Sequence, residues 1–115
     1  MIDAWLEEVK RKSDPSTLGM ILVHNGVVRG TSKHGKPVTG MKLSYDRAML
    51  QSSVERFKAK DGIVDIRAWI NEGDLKVGDD IMMLLVAGRL RKDVLPVFEE
   101  LLSTIKTEIV REQEI

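Results

Sequence analysis

A chain of 115 residues with 43% hydrophobic and 31% charged side chains has the size and make-up of one soluble globular domain, residues 1 to 115, with a single moderate core. Its 18 basic and 18 acidic side chains cancel, so broad attraction to nucleic acid or to an anionic membrane is excluded and any anion site must be a local cluster. The absence of cysteine removes disulfides, thiolate metal sites and a cysteine nucleophile, and His24 and His34 alone are too few for a three-histidine zinc centre, so no metal site and no cofactor is expected.

Ile2 to Lys12 reads as a short amphipathic helix, with Ile2, Trp5, Leu6 and Val9 at helical spacing and Glu7, Glu8, Lys10 and Arg11 on the other side. Ser13-Asp14-Pro15-Ser16 breaks it. Gly19 to Gly30, GMILVHNGVVRG, is the stretch around which the rest is organised. Met20 to Val23 form a continuous run of β-formers, the pattern of a strand buried on both faces. Gly26 marks a bulge or a close backbone approach. Arg29 then fixes a guanidinium at the strand end, just ahead of a polar, glycine-containing loop with Lys33, His34 and Lys36. That loop is expected to be mobile, and an anion site could be built from its cations.

Val38 to Tyr45 alternates, with Met41, Leu43 and Tyr45 facing inward as in a half-buried strand. Asp46 is placed to cap a helix reaching about Lys60, with Met49, Leu50, Val54 and Phe57 on its inner side and Gly62 ending it. Ile63 to Ile70 follows as a strand, Val64, Ile66, Ala68 and Ile70 inward, Asp65, Arg67 and Trp69 outward. Asn71 to Asp80 reads as a turn-rich connection. Ile81 to Ala87 is the most apolar strand, predicted to be central; it is too short to span a bilayer, and no signal-peptide pattern opens the sequence, so a cytoplasmic protein is expected. In the last helix Asp93 is the predicted N-cap, Pro96 lies in the first turn, and Val94, Val97, Phe98, Leu101, Leu102 and Ile105 make an apolar stripe. Lys106 lies near the helix end, and Thr107 to Ile115 reads as a charged tail. The order helix, strand, strand, helix, strand, strand, helix predicts an α+β domain with a mostly antiparallel sheet.

Three segments together resemble the large, catalytic subunit of molybdopterin synthase, the MoaE family. They are GMILVHNGVVRG, similar to that family's strand ending in glycine-x-valine-arginine; Gly73 to Asp80, similar to its glycine-x-leucine-x-x-glycine-acid turn; and Arg91 through Lys106, where arginine, helix and lysine stand at the family's spacing without a gap. The resemblance covers roughly residues 17 to 111. It implies an α/β-hammerhead-type fold and a homodimer, with a small ubiquitin-like sulfur-carrier subunit ending in Gly-Gly bound at each end to make a heterotetramer. The carrier's C-terminal thiocarboxylate would donate sulfur to cyclic pyranopterin monophosphate, two rounds giving the dithiolene of molybdopterin. Such chemistry needs cations, because a cyclic phosphate and a thiocarboxylate must be held together while charge develops on oxygen.

Position by position, Lys106 resembles the first of the family's two active-site lysines and is the implied catalytic residue. Arg29 and Arg91 match its strand-end and pre-helix arginines, and Arg111 is the nearest cation to the place of the second lysine. With Lys33 and Lys36 these make the candidate substrate-binding set. The sequence departs from the family at Leu90, where a histidine is usual, at Ile70 and Asn71, where a histidine-arginine pair is usual, at His24, which replaces an aromatic, and at Thr107 to Glu112, shorter by two residues than the stretch carrying the second lysine. The alternative reading is a non-catalytic paralogue that binds a carrier protein or pterin without turnover; a third is an unrelated α+β interaction module. Taken singly, Lys106 is a cation complementing a helix dipole and His24 a core histidine.

Overall fold

The computed structural model describes all 115 residues, and its elements are α1 (Ile2–Lys12), β1 (Met20–Val27), β2 (Gly40–Tyr45), α2 (Arg47–Lys58), β3 (Ile63–Ile70), β4 (Gly73–Lys76), β5 (Asp80–Gly88), α3 (Arg91–Thr104), a π-helical turn (Ile105–Ile109) and β6 (Val110–Glu114). They form two three-stranded sheets, ordered β1-β5-β3 and β4-β2-β6, in which every pair is antiparallel. The α+β class with antiparallel pairing is as the sequence predicts, but the strands divide into two sheets.

The first sheet is built around β5, the expected centre. Leu84, Leu85, Val86 and Ala87 are all fully buried, because consecutive side chains point to opposite faces and both faces are covered. Met82, Leu84 and Val86 enter the larger core with Ile66, Ile70, Phe57, Val94, Val97, Leu101, Ile105 and Ile109. Leu85 and Ala87 enter a smaller core under α1, with Val9 and the half-buried Trp5, Leu6, Ile21 and Val23. The α1 helix thus closes the sheet's second face. Arg67 reaches from β3 to Glu8 of α1 and to Asp65 at 3.2 Å, while Lys58 meets Asp65 at 3.1 Å. Asp65 and Arg67, predicted to point outward, lie on the face that α1 covers and are half-buried there.

β1 is an edge strand whose side chains are half-buried rather than enclosed. Its apolar run reports two covered faces, which a strand at the sheet's edge also has. The expected irregularity at Gly26 is present: the register with β5 shifts between Gly26 and Val27.

The second sheet corrects two readings. Residues 73–76, predicted as part of a turn, form β4, and residues 110–114, predicted as a tail, form β6; they flank β2 on either side. Both strands are short and polar, with only Leu75 and Val110 buried, so neither carries a periodicity that betrays it. Their backbones pair with β2, whose Met41 and Leu43 face the main core as expected.

Helix α2 begins at Asp46, whose Oδ1 accepts from the Met49 N–H at 2.9 Å, the predicted cap. Met49, placed on the inner face by periodicity, is instead 41% exposed. Gly62, at φ +84°, makes the turn into β3, where a Cβ would collide with the Asp93 carboxylate. Helix α3 starts two residues before the predicted cap: Leu90 is the N-cap, Asp93 lies inside the first turn, and Pro96 falls in the second. No helix is long and apolar enough to cross a membrane.

Candidate functional site

Val28 is buried; its N–H donates to the Asp79 carbonyl at 2.9 Å and its carbonyl accepts from the Gly78 N–H at 2.8 Å. These two hydrogen bonds to the β4–β5 turn make a stiff base for Arg29, which is exposed and whose Nε donates to the Thr31 carbonyl at 2.9 Å. Beyond it, residues 31–37 form a closed turn rather than an open loop. Thr31 bridges to Pro37, the Ser32 N–H donates to the Lys36 carbonyl at 2.7 Å, and Ser32 Oγ accepts from the N–H groups of His34 and Lys36. Gly35, at φ +82°, allows the tight chain reversal. Lys33 and Lys36 project from this turn, exposed, close in sequence to Arg29.

Lys106 lies in the π-helical turn between Ile105 and Ile109, both buried in the main core. The backbone under the lysine is thereby fixed, while its side chain is exposed. On β1, His24 is set edge-on against Phe98 of α3, with ring centroids 6.5 Å apart. Burial, and next to it the charge of Lys106, holds the His24 imidazole below its ordinary pKa, so the ring is neutral at neutral pH. Sequence reading set His24 aside as a core residue. The available signal was a polar ring in an apolar strand, two residues from a glycine.

The register shows what one chain brings together. At one end of the β1–β5 ladder Val27 faces Asp80, and at the other Met20 faces Gly88. Arg29 follows the first end and Arg91 the second, so the ladder separates them by roughly 20–25 Å. Helix α3 starts at Arg91 and packs along β5 and β1, and about 15 residues of helical rise, on the order of 22 Å, separate Arg91 from Lys106. Lys106 therefore comes back toward the Arg29 end, and Arg91 stands apart from both. Arg111, opposite Ser44 in the β2–β6 ladder, lines a groove with Tyr45, Asp46, Met49 and Glu108. None of Arg29, Lys33, Lys36, Arg91, Lys106 and Arg111 is engaged in an ion pair, whereas Arg47, Lys58, Arg67 and Arg89 each are. Cations left free on stiff supports are available to an anionic ligand.

A family model described as "MoaE protein" matches residues 2–108. An uncharacterized protein of Methanocaldococcus jannaschii is 31% identical over 109 residues, covering 91% of this chain and 87% of the relative. Among solved structures, the complex of subunits 1 and 2 of molybdopterin-converting factor from Helicobacter pylori superposes with a TM-score of 0.76 at 24% identity, covering 98% of this chain and 74% of that one. Molybdopterin synthase from Staphylococcus aureus gives a TM-score of 0.73 at 19% identity, covering 95% of this chain and 82% of that one.

Proposed function

Since this chain belongs to the MoaE protein family, a family of molybdenum cofactor biosynthesis, we propose that it is a divergent large subunit of molybdopterin synthase. In this reading it moves sulfur from the C-terminal thiocarboxylate of a small carrier subunit to cyclic pyranopterin monophosphate in the cytoplasm. The observation that supports the reading is Lys106: exposed, free of ion pairs, and held by a turn whose flanking isoleucines are buried, at the end of a helix that runs back from Arg91 along β5. In each round the thiocarboxylate sulfur bonds to a side-chain carbon of the pterin as a C–O bond there breaks. Water then cleaves the carrier's acyl C–S bond, leaving sulfur on the pterin and a carboxylate on the carrier. An ammonium neutralises or protonates the oxygen on which charge develops. Arg29, Lys33 and Lys36 supply the local positive charge that a cyclic phosphate and a carrier tail need. Arg91, distant within one chain, serves the site from a second copy in a homodimer.

The test is sulfur transfer in the reconstituted system, with the carrier presented as its thiocarboxylate. Lys106→Ala is expected to leave folding and carrier binding intact and to cut turnover by a factor of roughly 100 or more. Lys106→Arg is not expected to rescue it, since a guanidinium keeps its protons and differs in shape. Arg111→Ala is expected to weaken substrate binding more than turnover. Full activity of Lys106→Ala would remove the assigned role.

One observation favours the second reading, a paralogue that binds without turnover. Arg111, the cation nearest to the second lysine's place, faces a groove shared with Glu108 and Met49, and Lys106 is not among that groove's lining residues. Carrier binding measured by calorimetry, together with no transfer by wild type, would decide for it.

A further inference from the structure

Four strands of this chain end a sheet, and three of them carry the usual protection against pairing with another chain. β4 has four residues and β6 five, both mostly polar, and β3 carries Asp65 and Arg67 with α2 packed along it. β1 has none of these guards. Its sequence, MILVHNGV, holds no Asp, Glu, Lys, Arg or Pro, and its register with β5 runs unbroken from Met20 to Gly26. Met20 to Val23 stay half-buried, although α3 packs over β1 on one face and the small core under α1 takes Ile21 and Val23 on the other. What remains open is the outer edge of the strand, a row of unpaired backbone N–H and C=O groups beside apolar side chains. Helix α3 extends this apolar margin. Phe98 meets His24 of β1, and Leu95 and Leu102, three residues before and four after it, lie on the same side of the helix; Leu95 is 37% exposed.

We propose that β1 is where two copies of this chain join: β1 of one pairs antiparallel with β1 of the other, and the two three-stranded sheets become one sheet of six strands. The symmetry and charge of the strand ends select a second copy as the occupant. An antiparallel pair of like strands is two-fold symmetric, so each edge closes the other and no further strand can add there. In that arrangement the Val27 end of one β1 lies beside the Met20 end of the other. Met20 faces Gly88, which Arg89, Arg91 and Lys92 follow, whereas Val27 faces Asp80, with Asp79 before it. The basic start of α3 in each copy therefore comes within about two strand spacings, on the order of 10 Å, of the acidic start of β5 in the other. Arg91, Lys92, Asp79 and Asp80 have no ion-pair partner in their own chain. Arg29 stands at the Asp80 end as well, so Arg91 of the second copy meets the Arg29 cluster across the interface. The use made of Arg91 rests on the sulfur-transfer reading; the pairing of the strands does not.

Three measurements on the full chain test the interface without using turnover. Sedimentation equilibrium compares wild type with Leu95→Glu, a change at an exposed position outside the core, and the dimer dissociation constant is expected to rise by a factor of roughly 100 or more. Hydrogen exchange reads the strand itself: the outward amides of β1, at alternate residues, should be as protected as those of β5 in the dimer and should become free in Leu95→Glu. Spin labels read the geometry. The chain has no cysteine, so Lys36→Cys and Lys92→Cys each offer one thiol. When the two labelled proteins are mixed, the distance between unlike labels should be shorter than either like-to-like distance. A monomeric wild type overturns the proposal, as does a dimer indifferent to Leu95→Glu, one whose outward β1 amides exchange freely, or one whose like-to-like label distances are the shorter. Should the dimer form as described and transfer no sulfur, the functional reading falls and the interface stands.

Discussion

Arg67 shows how one side chain decides whether a helix belongs to the domain. Its guanidinium joins Glu8 of α1 to Asp65 of its own strand, on the sheet face that α1 covers. The hydrogen bond from Arg67 holds the Glu8 carboxyl below its ordinary pKa, and the same bond raises Arg67. A carboxylate depressed on folding adds stability above its unfolded pKa and loses it as pH falls through the folded value. Arg67→Ala is therefore expected to lower the melting temperature by a few degrees at pH 7 and by much less near pH 3, read by thermal unfolding at both. Equal losses at the two pH values would mean that Arg67 acts through packing of its alkyl stem alone. The identity of Arg67 as a charged residue in a strand was plain from alternation. Its partner was not, since nothing local in the sequence tells which face of β3 receives α1.

At the scale of elements, β5 divides the chain's apolar side chains between two cores by parity. Leu84 and Leu85 are neighbours, equally buried, yet one faces α2 and α3 and the other α1. Substituting either by alanine should cost about 2–5 kcal/mol in chemical denaturation. Hydrogen exchange should separate them. Leu85→Ala should loosen amide protection in α1 before the rest of the domain, and Leu84→Ala should loosen α3 and the π-helical turn that carries Lys106. The same loss of α1 protection in both variants would refute a division into two cores. β5, α3 and the cap at Asp46 were legible because their signals are local: an unbroken apolar run, a 3.6-residue stripe, a carboxylate ahead of a helix. β4 and β6 had no such signal, since an edge strand is held by backbone bonds to its neighbour and can carry almost any polar side chain.

For the whole molecule, the separation of Arg91 from the Arg29 end bears on assembly. Within one chain these cations stand at opposite ends of a sheet in a body of 47 × 25 × 23 Å. A homodimer that sets the α3 start of one copy against the Arg29 end of the other would complete the cluster. Light scattering after size-exclusion chromatography is expected to give twice the 13.0 kDa chain mass at micromolar concentration. A clean monomer would leave Arg91 without a part in the site.

The sequence by itself determined the three helices, the central place of Ile81 to Ala87, the irregularity at Gly26 and the resemblance that led to the family, because each depends on residues adjacent along the chain. Only the tertiary structure decided that the strands divide into two sheets, that β1 is an edge, that α1 closes the second face, and that the 31–37 turn is bonded to itself. It alone set His24 against Phe98 and carried Arg91 away from Arg29. Those relations depend on which backbones pair and how helices pack back onto strands, and side-chain order along a chain specifies neither until the whole core has formed.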